Sequence, residues 1–206
     1  MPRDDLLADG PADAALTVVL AHGAGAPMDS PWMTTVARGL AGQGLRVVRF
    51  EFPYMAQRRT DGRRRPPDRT PALLAAWRAV AARFDPARLV IGGKSMGGRM
   101  ASMVADDLGV RGLVCLGYPF HPPGRPDRLR TEHLAQLRTP ALVLQGERDP
   151  FGTRDEVAAY ALSPAIRLAW LPGGNHDFTP PRASGRTGRQ NLEEAIAAAA
   201  AFARAL

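Results

Sequence analysis

Leu89-Val90-Ile91-Gly92-Gly93-Lys94-Ser95-Met96-Gly97-Gly98-Arg99-Met100 decides how the rest of the chain is read. It opens with an apolar run and turns through glycines. It then continues with Met100, Met103, Val104 and Leu108 at helical spacing. The pattern predicts a strand, a tight turn and a helix, with one serine at the apex. The turn, Gly93-Lys94-Ser95-Met96-Gly97, has the form G-x-S-x-G. Glycines two before and two after the serine remove the Cβ atoms that would collide where strand and helix approach. The start of the helix also aims free N–H groups at the serine, where they stabilise developing negative charge. The rival reading of Gly93-Lys94-Ser95 is a phosphate-binding P-loop, which needs a glycine at position 88; Arg88 stands there.

Outward from this stretch, apolar runs and amphipathic segments alternate. Residues 16–21, 45–52, 113–117, 141–145 and 166–171 read as further strands, the first of them a continuous apolar run as in a sheet buried on both faces. Ser30-Pro31 and Thr70-Pro71 read as helix starts, Thr153 with Glu156 as a capping box, and Asn191 with Glu194 as the cap of the last helix. A further short helix is expected over 131–137. Residues 1–14 are read as a loose N-terminal arm or a short edge strand, and 53–70 as a long loop rich in proline and arginine. Alternation of this kind gives a mostly parallel sheet with helices on both faces, in a single domain covering 1–206. Ligands of such sheets bind beyond the carboxyl ends of the strands, and every notable turn lies there.

Composition narrows the function classes. Two hundred and six residues with 45% hydrophobic content suit one domain with a full core. The net charge is +7, but Lys94 is the only lysine, so arginine supplies the other basic residues. Arginine in place of lysine, with abundant alanine, reads as genome base composition, and the chain has no basic platform interleaved with aromatics. A nucleic-acid partner is therefore not expected. A pyridoxal enzyme would have to use Lys94, and nothing else supports one. The single cysteine, Cys115, cannot form an internal disulfide, which fits a reducing compartment. Neither a signal-peptide run nor a membrane-spanning run is present. The expectation is a cytoplasmic protein with no membrane partner, acting on a small-molecule acyl substrate, monomeric or homodimeric, with no cofactor and no metal.

Three of the turns carry what nucleophilic acyl transfer needs. Ser95 needs a base, and His176 is the only one of four histidines that follows the last strand. The histidine in turn needs a carboxylate to hold its tautomer. Asp149 and Glu147 both lie in the turn after the strand at 141–145. For the oxyanion, the Met96 N–H follows the nucleophile, and Ala24 or Gly25 supplies a second donor. His22 is expected to brace that second turn. Lys94 is expected to be a buried stem whose ammonium pairs with a carboxylate. His133 is expected at the surface or in a loop, and Asp177 as a local cap or surface acid.

His22-Gly23-Ala24-Gly25-Ala26, Gly93-Lys94-Ser95-Met96-Gly97-Gly98-Arg99, Gly117-Tyr118-Pro119-Phe120-His121, Gly146-Glu147-Arg148-Asp149 and Gly174-Asn175-His176 together resemble the small, lidless α/β-hydrolases. More narrowly, they are similar to the dienelactone-hydrolase-like group that includes testis-expressed-protein homologues. The resemblance covers roughly residues 16–205. It implies a single-domain α/β-hydrolase fold without a cap domain, and a serine esterase with a Ser95–His176–Asp149 triad. Its usual Gly-x-x-Asp spacing favours Asp149 over Glu147. Phe120 and His121, and Arg63 in the arginine loop, are the expected substrate-binding residues. The chain departs from the family in its short or missing N-terminal strands. A catalytically silent binding or scaffold protein on the same fold is the alternative.

Overall fold

The six apolar runs become the parallel strands of the sheet, the central ones buried on both faces, and a seventh strand joins them at one edge. The computed structural model describes residues 6–206. Strands β2 (Thr17–Ala21), β3 (Arg46–Phe50), β4 (Leu89–Lys94), β5 (Gly112–Leu116), β6 (Ala141–Gly146) and β7 (Ile166–Leu171) run parallel. The sheet order is β1-β3-β2-β4-β5-β6-β7, in which β1 (Leu6–Asp9) pairs antiparallel with β3 at one edge. Of the arm expected over 1–14, residues 1–5 lie outside the described residues, and 6–9 form this edge strand.

Period-two alternation divides the strand side chains between two cores. Val18, Leu20, Val90 and Val114 enter the core beneath α1 (Pro31–Gly42) and α7 (Gly188–Arg204). Val19, Ala21, Ile91 and Cys115 enter the opposite core, beneath α3 (Thr70–Ala81) and α4 (Met96–Ser102). The Ser30 hydroxyl accepts from the Met33 N–H at the start of α1, with Pro31 in the first turn. Thr153 and Glu156 form the expected capping box on α6 (Arg154–Val157).

Local structure departs from the sequence expectation at four places. The expected loop over 53–70 begins as a helix, α2 (Pro53–Asp61), which buries Tyr54 and Met55 and ends at Gly62 in the left-handed region. Two apolar residues at its start outweigh the polar arginines that follow, and only 62–69 stays irregular. The helix after Ser95 is broken into α4 and α5 (Ala105–Leu108), and the Ser102 hydroxyl donates back to the Arg99 carbonyl at the break. The expected helix over 131–137 is a 3-10 segment, Glu132–Gln136. The last helix is capped one turn earlier than expected, by Thr187 with Gln190. Asn191 is buried inside that helix, where its amide donates to the Pro172 and Phe178 carbonyls.

The chain leaves β2 toward β3 on one side and returns to β4 on the other. This reversal opens a crevice beyond the carboxyl ends of β2 and β4, the switch point at which sheets of this kind bind ligands. Among the described residues, no helix is long and apolar enough to cross a membrane.

Candidate active site

Ser95 stands at the end of β4 with φ 51° and ψ −116°, a strained backbone for a residue with a side chain. Its N–H is held by the Leu116 carbonyl at 3.0 Å. The turn is tight because β2 lies against it. A Cβ on Gly93 would fall 2.2 Å from the Ala21 carbonyl oxygen, and one on Gly97 would fall 2.4 Å from the same atom. From the α3 side, the buried Trp77 indole N–H donates to the Gly97 carbonyl at 3.2 Å and fixes where α4 begins.

The three residues expected to act together meet at this point. His176 Nε2 lies 2.9 Å from Ser95 Oγ, and His176 Nδ1 lies 2.8 Å from Asp149 Oδ2. Asp149 is fully buried. Its Oδ2 also accepts from the Gln145 side-chain amide at 2.9 Å, and its Oδ1 accepts from the Phe151 N–H at 2.9 Å. Gln145 is held in turn by the Tyr118 N–H, which donates to its carbonyl oxygen at 2.7 Å. The Phe151 ring packs over the His176 ring at 4.3 Å. Glu147, the competing carboxylate, points elsewhere: it accepts from Arg154 and from the Gly173 N–H, each at 2.8 Å.

The turn after β2 is braced from below. Buried His22 receives the Phe52 N–H on Nε2 at 3.1 Å, so Nδ1 carries the proton that it donates to the Gly23 carbonyl. Burial holds its pKa below the ordinary histidine value, which keeps that tautomer neutral. The Tyr54 hydroxyl donates to the Ala24 carbonyl at 2.9 Å. Met96 is the first residue of α4, so its N–H has no intrahelical acceptor. Met96 and Ala24 both line the cleft beside Ser95.

Lys94 is buried between the two loops. Its ammonium lies 3.3 Å from Asp177 Oδ1, donates to the His176 carbonyl, and sits 5.3 Å from the Trp32 ring centroid. This is the carboxylate pairing expected from the sequence, and it clamps the loop that carries His176. Burial lowers the lysine pKa, and Asp177 opposes that shift.

The expected substrate-binding residues are placed differently. Phe120 is fully buried against Tyr118, with ring centroids 4.8 Å apart. His121 is buried too; its Nδ1 donates to the Pro122 carbonyl and its Nε2 lies 3.4 Å from Glu156. Beyond Gly117, which has φ +69°, the chain turns these side chains inward, so neither lines the cleft. Arg63 is exposed on the irregular segment and does not line it either.

Two cavities meet at Ser95. One, of about 310 Å³, is walled by Ala24, Ala26, Trp32, Met33, Phe151 and His176. The other, of about 350 Å³, contains Met96 and not His176; Arg99 and Arg130 line it with Leu73, Met100 and Phe151. Tyr54, Gln145, Phe151, Arg99 and Arg130 were not expected from sequence. Only Arg99 carried a signal, because it lies four residues after Ser95 and so on the same face of the helix.

Known proteins share this fold. A dienelactone hydrolase from Anabaena variabilis superposes with a TM-score of 0.71 at 23% identity, over 96% of this chain and 89% of that one. An α/β serine hydrolase without a lid from Xanthomonas campestris gives 0.69 at 22% identity, over 97% and 87%. The esterase domain of a Rhodothermus marinus protein gives 0.68 at 20%, over 96% and 90%. Over residues 14–204 the sequence matches the model of the α/β hydrolase domain family. With that match across almost its whole length, the chain belongs to the α/β hydrolase domain family.

Proposed function

We propose that the protein is a serine hydrolase that cleaves an ester or related acyl bond of a small molecule through an acyl-Ser95 intermediate. The unbroken chain of contacts from Ser95 Oγ through His176 to Asp149, at 2.9 and 2.8 Å, carries this reading. Ser95 Oγ attacks the acyl carbon while His176 Nε2 takes its proton. Asp149 holds the Nδ1 proton and stabilises the imidazolium. The Met96 and Ala24 amides receive the oxyanion, and one such donor is worth about 100- to 1,000-fold in kcat. As the tetrahedral intermediate collapses, His176 gives its proton to the leaving oxygen. Water then attacks the acyl-serine with His176 again as base; the acid departs and Ser95 regains its proton. Every step uses a side chain or amide of this chain, so no cofactor is required.

Folded protein is expected to release p-nitrophenol from p-nitrophenyl acetate and butyrate well above the uncatalysed rate. Ser95→Ala should bring the rate to background. A folded wild type that turns over no activated ester would contradict the proposal, and a binding role on the same fold would replace it.

A further inference from the structure

The two cavities at Ser95 are chemically unlike, and their positions relative to His176 assign their roles. His176 Nε2 must protonate the leaving oxygen, so the leaving group lies on the His176 side. That side is the cavity walled by Ala26, Trp32 and Met33. The acyl chain then extends the other way, into the cavity that holds Met96 without His176.

Arg99 and Arg130 both line this acyl-side cavity, and among the described residues neither guanidinium has a carboxylate within ion-pair distance. Buried Arg99 Nε has no hydrogen-bond partner. Both positions are built rather than incidental. Arg99 sits one turn after Ser95, with its N–H on the Ser95 carbonyl at 3.0 Å. Arg130 is pinned through its backbone: its N–H donates to the Phe120 carbonyl at 2.8 Å, and its carbonyl accepts from the Tyr118 hydroxyl at 3.1 Å.

The other ionisable neighbours do not answer this charge. Asp68 lines the same cavity, but its Oδ2 accepts from the Tyr54 N–H and it lies outside ion-pair distance of both arginines. His133 Nε2 lies 2.8 Å from the Ser102 hydroxyl, and burial together with Arg99 pushes its pKa down to about 4, so it is neutral at neutral pH. Burial and the nearby Arg99 also hold the Arg130 pKa below the usual arginine value. Two like charges held together on a half-buried surface are unfavourable until an anion joins them.

Resting on the serine-hydrolase reading above, we propose that the acid part of the substrate bears a second, free carboxylate, which Arg99 and Arg130 bind. The substrate class is thus the half-esters of dicarboxylic acids with an apolar or aromatic alcohol. Guanidinium forks match carboxylates in pairs of hydrogen bonds, which gives the site its specificity for charge and direction.

Matched p-nitrophenyl esters test this: the hemiesters of succinate, glutarate and adipate against the neutral butanoate, pentanoate and hexanoate. Wild type should favour the anionic member of the best-fitting pair by about 10- to 100-fold in kcat/KM, the discrimination that charge-assisted hydrogen bonds give. Arg130→Gln and Arg99→Gln should each bring that ratio toward one, and Arg130→Lys should restore part of it. A wild type that hydrolyses neutral esters with no anionic preference at any chain length overturns this proposal and leaves the hydrolase intact. A preference that appears only when the carboxylate is on the alcohol side overturns it as well. A folded wild type that turns over neither set contradicts the hydrolase reading itself.

Discussion

Asp149→Asn should lower kcat on a neutral p-nitrophenyl ester by about 10,000-fold, the scale seen when a triad histidine is held in the wrong tautomer. The cause lies in how the carboxylate is surrounded. Donors approach it from both sides: Phe151 N–H on Oδ1, and His176 Nδ1–H with the Gln145 amide on Oδ2. An asparagine has one acceptor oxygen and must turn its NH2 toward one of these sides. With its oxygen toward Phe151, its NH2 faces His176, and Nδ1 can pair with it only by giving up its proton. That proton then resides on Nε2, the nitrogen facing Ser95, which can no longer act as a base. The substitution nearly conserves volume, so urea unfolding should show a folded protein with a cooperative transition. A loss below about 10-fold, on the same kinetic assay, would mean that Asp149 does not orient the base.

The second large effect is on stability. Gly97→Ala should destabilise the protein by about 3 kcal/mol, the upper end of the cost of overpacking. The added methyl would sit 2.4 Å from the Ala21 carbonyl oxygen and 2.7 Å from that of His22. Both are backbone atoms, of the end of β2 and the turn after it, and neither can rotate away. α4 would have to lift off β2 at its first turn, pulling the Gly97 carbonyl from the Trp77 indole and the Met96 amide from its proposed oxyanion position. For a chain of this length, the midpoint of thermal unfolding should fall by about 6–12 °C. Ester turnover should fall with it. An unchanged midpoint would show that β2 and α4 can separate enough to admit a methyl group at little cost.

The fold was legible because its strands are short apolar runs that stand out between helical segments, and because buried parallel strands need no polar face. The order Ser95, Asp149, His176 was legible for a related reason: each follows a strand, and parallel strands deliver their following turns to one edge. What sequence could not supply was direction once the chain leaves a strand. Phe120 and His121 follow β5 by only a few residues, yet Gly117 turns them into the interior. Proline and arginine made 53–70 look like one loop, while Tyr54 and Met55, which anchor its first half as a helix, gave too short an apolar signal. Arg63 drew attention because it stands in a run of arginines. The arginines that reach the cleft are elsewhere: Arg99 by helical phase, and Arg130 through two backbone bonds to residues ten and twelve positions away. Contacts of that range leave no local pattern.

Covalent labelling reads directly whether Ser95 is an activated nucleophile. Wild type and Ser95→Ala would each be treated with a fluorophosphonate probe and weighed intact. The proposed triad predicts that wild type gains one phosphonyl group per chain, located on the peptide containing Ser95, and that Ser95→Ala gains none. An unlabelled, folded wild type, or equal labelling of both proteins, would contradict it.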